Sequence, residues 1–276
     1  MKVDQFQVKI SGEEIQFNVN LKDDGYGADY WSRLVLGEYE PDTICLIKRF
    51  SAPDYCFIDV GAANGAMSLI AAAMGCEVVT IEPNRQVFAV LKRNIALNPK
   101  ISERIHPVNA ILASDEDKAL GNELIFERGI LTEITREGAD YKDFDNLDIL
   151  NIEDVMRMTT KRTIFMKIDI EGAEWKLFQS RNFIKELIRK NITIIIALHP
   201  GLNRPLDRKL GNGLKIRKQP KVIWRLLNIR DSVCFFRRVS KFTIYKTNYT
   251  KVNDVRKFVM LILGGYHEFI LVPKNK

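Results

Sequence analysis

The chain has 276 residues, of which 46% are apolar, and a formal net charge of +7. This length and apolar content allow a substantial core and favour one large α/β domain over two small ones. Charges run through residues 1–14, so we expect no secretory signal peptide, and the apolar runs are too short to cross a bilayer. The four cysteines show no CxxC spacing. We therefore expect reduced thiols in a cytoplasmic protein, either free or peripheral at a membrane.

The first fifty residues predict a β-hairpin followed by helical segments. Apolar and polar residues alternate at 6–10 and at 15–19, and a glycine lies between the two runs. Helical spacing follows at residues 29–39, and residues 43–50 are also compatible with a helix. These segments lead to the first strand of the predicted core.

Residues 56–83 have the pattern of a strand, a glycine turn, a helix and a second strand. Gly61 permits a sharp turn close to a ligand, Gly65 removes a Cβ where the helix begins, and Asn64 can cap that helix. Glu82 ends the second strand, 21 positions after Gly61 (82 − 61), which is about the spacing of an acid that binds ribose hydroxyls. The pattern predicts a nucleoside cofactor, and a degenerate dinucleotide fingerprint remains an alternative.

The remaining strands follow in chain order. Residues 105–110 predict a third strand, with Asn109 near its end as either an adenine-binding acceptor or a plain turn residue. Between residues 115 and 163 we expect a peripheral elaboration, with a side hairpin at 124–126 and 131–135 and a short helix at 152–158. Strands are predicted at 164–168, 192–198, 241–247 and 267–273, and a helix at 252–263.

Several motifs resemble those of one known enzyme family. They are KIDIEGAE at 167–174, GEYEP at 37–41, FIDVGAANGAMSL at 57–69, IEPN at 81–84, NIALN at 94–98 and IALHP at 196–200. In this order the chain resembles the FkbM family of S-adenosylmethionine-dependent methyltransferases. The IEGAE element is the specific one, because many methyltransferases share the glycine turn.

The resemblance implies a Rossmann-like α/β fold, a seven-stranded, mostly parallel sheet with helices on both faces. It implies an extension at residues 1–50 and a methyltransferase domain at 51–276, with a basic insertion at about 202–238. It also implies methylation of a hydroxyl on a sugar, a glycan or a related metabolite, with S-adenosylmethionine as the cofactor. The cofactor-binding residues that follow from it are Glu40, Asp59, Gly61, Ala62, Asn64, Gly65, Glu82, Asn109 and Asp169.

Three side chains at strand ends are the catalytic candidates. Asp169 and Glu171 follow one strand and His199 follows the next, and open α/β sheets bind ligands beyond the carboxyl ends of their strands. We expect His199 or Asp169 to take the acceptor's hydroxyl proton, and Glu171 and Glu174 to hold acceptor hydroxyls or the cofactor's ammonium. We expect no metal, because the chain has three histidines and no HExxH motif.

A strongly basic stretch lies between Arg204 and Arg238. It predicts either a solvated insertion or contact with an anionic surface, and we consider nucleic acid the less suitable partner. Two other functions remain open: an NAD-dependent oxidoreductase or epimerase, and a non-catalytic module that binds nucleic acid or an anionic membrane. In the second case Trp224, Phe235 and Phe236 would supply aromatic contacts.

Overall fold

A computed structural model describes residues 5–10, 15–20, 27–120, 147–199 and 221–274. The chain divides into two compact units: unit 1 comprises residues 1–112 and 146–167, and unit 2 comprises residues 113–145 and 168–276. The domain boundary expected near residue 50 stays a prediction.

Unit 1 contains the glycine turn and the strands on either side of it. Its strands are β1 (Gln5–Ile10), β2 (Ile15–Asn20), β3 (Tyr55–Val60), β4 (Glu77–Ile81), β5 (Ile105–Val108), β6 (Ala110–Leu112), β7 (Asp148–Leu150) and β8 (Thr163–Ile168, whose last residue is assigned to unit 2). Its helices are α1 (Gly27–Leu36), α2 (Pro41–Phe50), α3 (Ala66–Ala73), α4 (Arg85–Ala96), α5 (Pro99–Ser102) and, after α6 of unit 2, α7 (Ile152–Arg157). The main strands are hydrogen-bonded in the order β8-β3-β4-β5.

The centre of unit 1 is a buried parallel ladder. β3 pairs in parallel with β4 from Cys56↔Glu77 to Val60↔Ile81, and β4 pairs in parallel with β5. In β3 every residue after Tyr55 is buried, as expected for a parallel strand that is covered on both faces. Phe165 stacks on Phe57 at 5.5 Å between ring centroids. β1 and β2 form the predicted antiparallel hairpin.

Unit 2 contains a mainly antiparallel set of strands and the helices between them. Its elements are α6 (Asp115–Leu120), α8 (Glu174–Leu177), α9 (Arg181–Arg189), β9 (Thr193–Ala197), α10 (Lys221–Arg238), β10 (Phe242–Lys246), β11 (Lys251–Val252), α11 (Val255–Leu263) and β12 (Glu268–Pro273). The strand order is β11-β10-β12-β9, and the three pairings between these strands are antiparallel. Phe235 and Phe258 stack in its core at 5.9 Å.

The predicted fold class is confirmed: the protein is a Rossmann-like α/β protein with a mostly parallel main sheet. In the part of the chain that the structure describes, the sheet has eight strands instead of seven, because residues 251–252 form the short strand β11, where the sequence predicted the start of a helix. Residues 221–238 form a helix that the sequence analysis did not predict. The side hairpin expected at 124–135 and the basic residues 204–220 lie outside the described residues.

Candidate functional site

The turn between β3 and α3 depends on left-handed backbone geometry. Gly61, Ala63 and Gly65 have φ values of 82°, 51° and 86°. The N–H groups of Gly61 and Ala62 both donate to the carbonyl of Ile81, which ties the turn to the end of β4. A Cβ on Gly65 would lie 3.3 Å from Leu91 Cγ. Gly65 therefore serves both the backbone conformation and the close packing of α4.

Asn64 lies next to the helix start and has a different role from the expected one. Gly65, not Asn64, occupies the N-cap position of α3, because the turn places a left-handed residue there. The Asn64 side chain accepts a hydrogen bond from Ala66 N–H at 3.2 Å, and its carbonyl accepts one from Asn94 Nδ2 at 2.9 Å. Asn64 Nδ2 is buried and has no hydrogen-bond partner among the described residues.

Glu82 is held against the glycine turn by two backbone donors. Its carboxylate accepts hydrogen bonds from Ala63 N–H at 3.0 Å and Asn84 N–H at 2.8 Å. Burial raises the pKa of this carboxyl group to about 7, against the lowering effect of the two N–H groups. The carboxyl group thus titrates near neutral pH and is fixed beside the turn.

Asn109, which follows β5, and Asp59 of β3 support the same turn. Asn109 Nδ2 donates to the carbonyls of Glu82 and Pro83 at 2.8 and 3.0 Å, so Oδ1 is the atom left for a ligand. Asp59 is 1% exposed, and its carboxylate accepts a hydrogen bond from Ser68 at 2.7 Å. Asp59 therefore joins β3 to α3 from inside the core.

These residues fit a nucleoside cofactor. The orphaned amide of Asn64 lies in the glycine turn, and the carboxylate of Glu82 is hydrogen-bonded to the same turn. Two backbone hydrogen bonds from the Asn109 amide fix its oxygen beside Glu82. A carboxylate can accept hydrogen bonds from ribose hydroxyls, and an amide oxygen can accept one from an amine.

Glu40 and Lys167 form a charged pair in unit 1. Glu40 has a left-handed backbone (φ 43°), and its Oε2 lies 3.8 Å from Lys167 Nζ. The two side chains are only 18% and 7% exposed. The sequence analysis proposed Glu40 but gave Lys167 no role, although a lysine inside the apolar run of β8 is a signal of a buried charge that needs a partner.

In unit 2 a buried carboxylate organises the loop after β8. Glu174 is completely buried, and its carboxylate accepts hydrogen bonds from Ile170 N–H at 3.0 Å and Gly172 N–H at 2.9 Å. The Glu174 Oε1 atom also lies 3.0 Å from His199 Nδ1. This arrangement differs from the substrate contact predicted for Glu174, because no part of the side chain reaches the surface.

The other ring nitrogen of His199 faces two carboxylates. Nε2 lies 3.4 Å from Glu171 Oε2 and 3.7 Å from Asp169 Oδ1. The side chains of His199, Asp169 and Glu171 are 24%, 23% and 49% exposed, so this end of the group is open to solvent. We call Asp169, Glu171 and His199 the strand-end cluster.

The strand-end cluster has a histidine with a raised pKa and a residue with a strained backbone. Burial alone would lower the pKa of His199, but Glu174, Asp169 and Glu171 together raise it to about 9. Glu171 has a left-handed backbone (φ 50°), which costs a residue with a Cβ about 1–2 kcal/mol. A strained residue that carries an exposed carboxylate is common at functional sites.

The structure thus groups the predicted site residues by unit. Glu40, Asp59, Glu82, Asn109 and the glycine turn belong to unit 1. Asp169, which was predicted for both cofactor binding and catalysis, belongs with Glu171, Glu174 and His199 in unit 2.

The aromatic residues suggested for a surface contact are only partly described. Phe235 is 2% exposed and packs on Trp175, Phe178 and Phe258, so it cannot face a membrane or a nucleic acid. This corrects the suggestion made for Phe235, because the face of α10 that carries it belongs to the core. No helix in the described residues is long and apolar enough to span a membrane.

Comparisons with known proteins gave one family match and several weak structural resemblances. Residues 59–210 match the methyltransferase FkbM domain. No curated protein matches the chain significantly. Solved structures resemble it weakly. A methyltransferase from Agrobacterium tumefaciens has 13% identity and a TM-score of 0.34, and the match covers 70% of this chain and 53% of that chain. Geranyl diphosphate C-methyltransferase from Streptomyces coelicolor has 11% identity and a TM-score of 0.41, with 97% and 85% covered. The chain spans about half the length of the first of these structures.

The fold and the glycine turn with its carboxylate define an α/β protein of the nucleoside-cofactor class. The family match covers more than half of the chain, and the chain belongs to the FkbM methyltransferase family. Its class is that of S-adenosylmethionine-dependent methyltransferases, and S-adenosylmethionine is the cofactor, as predicted.

Proposed function

We propose that the chain transfers a methyl group to a hydroxyl oxygen of a sugar, a glycan or a related metabolite. The observation that carries this proposal is the strand-end cluster: the Nε2 atom of His199 lies 3.4 Å from the Glu171 carboxylate and 3.7 Å from the Asp169 carboxylate, and all three side chains are partly exposed. A hydroxyl attacks well only as it loses its proton, and the cluster supplies acceptors for that proton.

Residues of unit 1 would hold the cofactor. Glu82 would accept hydrogen bonds from the ribose hydroxyls, Asn109 Oδ1 would face the adenine, and Glu40 would hold the ammonium group. When bound, S-adenosylmethionine supplies a methyl group on a positively charged sulfur, which is open to attack by an oxygen. Asp59 and Gly65 would act indirectly, because they shape the turn.

Residues of unit 2 would prepare the acceptor. Glu171 has the most exposed carboxylate of the cluster and is suited to bind an acceptor hydroxyl. Asp169 would take the proton as the new carbon–oxygen bond forms. Glu174 positions His199 through Nδ1, and His199 in turn holds the two carboxylates near each other. A positioned base contributes about 10²- to 10⁴-fold to the rate.

The decisive experiment is a screen with radiolabelled S-adenosylmethionine over nucleotide sugars and cell-envelope glycans. With an acceptor in hand, we expect His199→Ala to lower turnover by about 10²-fold or more, while calorimetry shows unchanged cofactor affinity. His106→Ala is the matched control, because His106 is an exposed histidine of unit 1.

Two results would refute the proposal. Unchanged turnover in His199→Ala would remove the strand-end cluster from the reaction. Binding of NAD in place of S-adenosylmethionine would favour the oxidoreductase alternative. The anionic contact between Arg204 and Arg238 and the cytoplasmic location stay predictions, and vesicle sedimentation at increasing salt tests the first of them.

A further inference from the structure

The Nε2 atom of His199 lies near two carboxylates, but at distances longer than a hydrogen bond. An imidazole–carboxylate hydrogen bond spans about 2.7–2.9 Å. Nε2 lies 3.4 Å from Glu171 and 3.7 Å from Asp169, and it makes no hydrogen bond to any described residue. The nitrogen therefore faces two carboxylate oxygens at distances too long for direct bonding.

These two distances are close to those between ligands of one metal ion. Two ligand atoms that each lie about 2.1 Å from a cation are about 3.0–3.5 Å apart when they are adjacent in octahedral or tetrahedral geometry. The three ligand atoms of the strand-end cluster all lie within 4.8 Å of one another. The distance from Nε2 to Glu171 lies in this range, and a small rotation of the partly exposed Asp169 side chain would shorten the 3.7 Å distance by the missing amount of about 0.2 Å.

A second observation comes from outside the cluster. Glu174 is completely buried and lies 3.0 Å from Nδ1 of His199. Metal-binding histidines commonly donate their second N–H to a carboxylate, which fixes the ring and directs the other nitrogen at the ion. Glu174 is itself held by two backbone N–H groups, so the direction of Nε2 is set by the fold and not by the cluster.

The mixture of ligands indicates the kind of cation. Carboxylates suit Mg²⁺ and Mn²⁺, whereas imidazole suits transition metals, and Mn²⁺ accepts both. The partial exposure of all three side chains leaves room for water or for an acceptor hydroxyl to complete the coordination. The expectation of no metal relied on the small number of histidines in the sequence, which does not exclude a site with one imidazole and two carboxylates.

We propose that Asp169, Glu171 and His199 form a binding site for one divalent cation of the Mn²⁺ type. Its use rests on the proposed function: the cation would hold the acceptor hydroxyl and make its proton more acidic. Asp169 would then act as a ligand of the cation and not as the direct base, and the hydroxyl proton would pass to solvent water at the partly exposed cluster as the oxygen takes the methyl group.

Electron paramagnetic resonance tests the site without any methyl transfer. The full chain, treated with chelator and desalted, is titrated with Mn²⁺, and we expect the free-ion signal to fall by one equivalent per chain. Glu171→Gln and His199→Ala should weaken binding at least tenfold. Glu171 is half exposed, so its replacement does not endanger folding. His106→Ala and Glu116→Gln, which alter exposed residues elsewhere, should bind as the parent does.

The outcomes separate this proposal from the proposed function. Mn²⁺ binding that is absent, or that is equal in Glu171→Gln and the parent, overturns the site. Turnover that is unchanged by chelator overturns the role of the cation and leaves Asp169 as the base. A chain that binds Mn²⁺ through the cluster but methylates no hydroxyl supports the site and contradicts only the proposed function.

Discussion

Replacing Glu174 by glutamine tests whether one buried carboxylate holds the loop after β8. The carboxylate accepts hydrogen bonds from Ile170 N–H and Gly172 N–H and lies 3.0 Å from His199 Nδ1. Glutamine keeps one oxygen but places an NH₂ group against at least one of these donors. Each hydrogen bond to a charged group contributes about 1.5–3 kcal/mol, and removing one partner of a buried charged pair costs about 3–5 kcal/mol.

We therefore expect Glu174→Gln to lower the free energy of unfolding by about 3 kcal/mol, and Tm by about 5–10 °C. Urea unfolding followed by tryptophan fluorescence measures this change, because Trp175 Nε1 donates to the carbonyl of His199 at 3.2 Å. Glu116→Gln, an exposed substitution in the same unit, should change the free energy by less than about 0.5 kcal/mol. A loss below about 1 kcal/mol in Glu174→Gln would refute the role assigned to this carboxylate.

Three further predictions concern the turn and the core. Burial raises the pKa of Glu82 to about 7, and ribose hydroxyls donate to its charged form, so cofactor affinity should be up to about tenfold lower at pH 6 than at pH 8. In calorimetry, Glu82→Gln should remove this pH dependence. An equal dependence in the variant would exclude Glu82 as the group that causes it. Gly65→Ala should destabilise the protein more than Gly37→Ala in thermal denaturation, because both have positive φ but only Gly65 has Leu91 at 3.3 Å; equal losses would show that packing plays no part. Phe235→Ala should lower the free energy of unfolding in urea by about 3–5 kcal/mol, and replacement of the half-buried Phe236 by alanine should lower it distinctly less. Similar small losses in both variants would contradict the core position of Phe235.

Local patterns in the sequence predict the elements around the cofactor turn. The apolar run before Gly61, the glycines and the position of Glu82 place β3, α3 and β4 correctly, because strand and helix periodicity and turn chemistry depend on neighbouring residues. The hairpin of β1 and β2 and the helix α7 follow from the same kind of signal. Helix α10 was missed because its positive charges dominate the composition while the face that carries Phe235 is apolar.

The sequence by itself determined the class of fold, the nucleoside turn and the strand-end positions of Asp169 and His199. Only the tertiary structure decided what these side chains face. Glu174 and His199 are 25 positions apart, and Lys167 is far from Glu40 in the chain, so no local pattern pairs them. The sequence predicted Glu174 as a substrate ligand, but its carboxylate is buried and lies beside Nδ1 of His199, because a buried carboxylate needs hydrogen-bond donors. The other ring nitrogen, Nε2, is directed at two carboxylates.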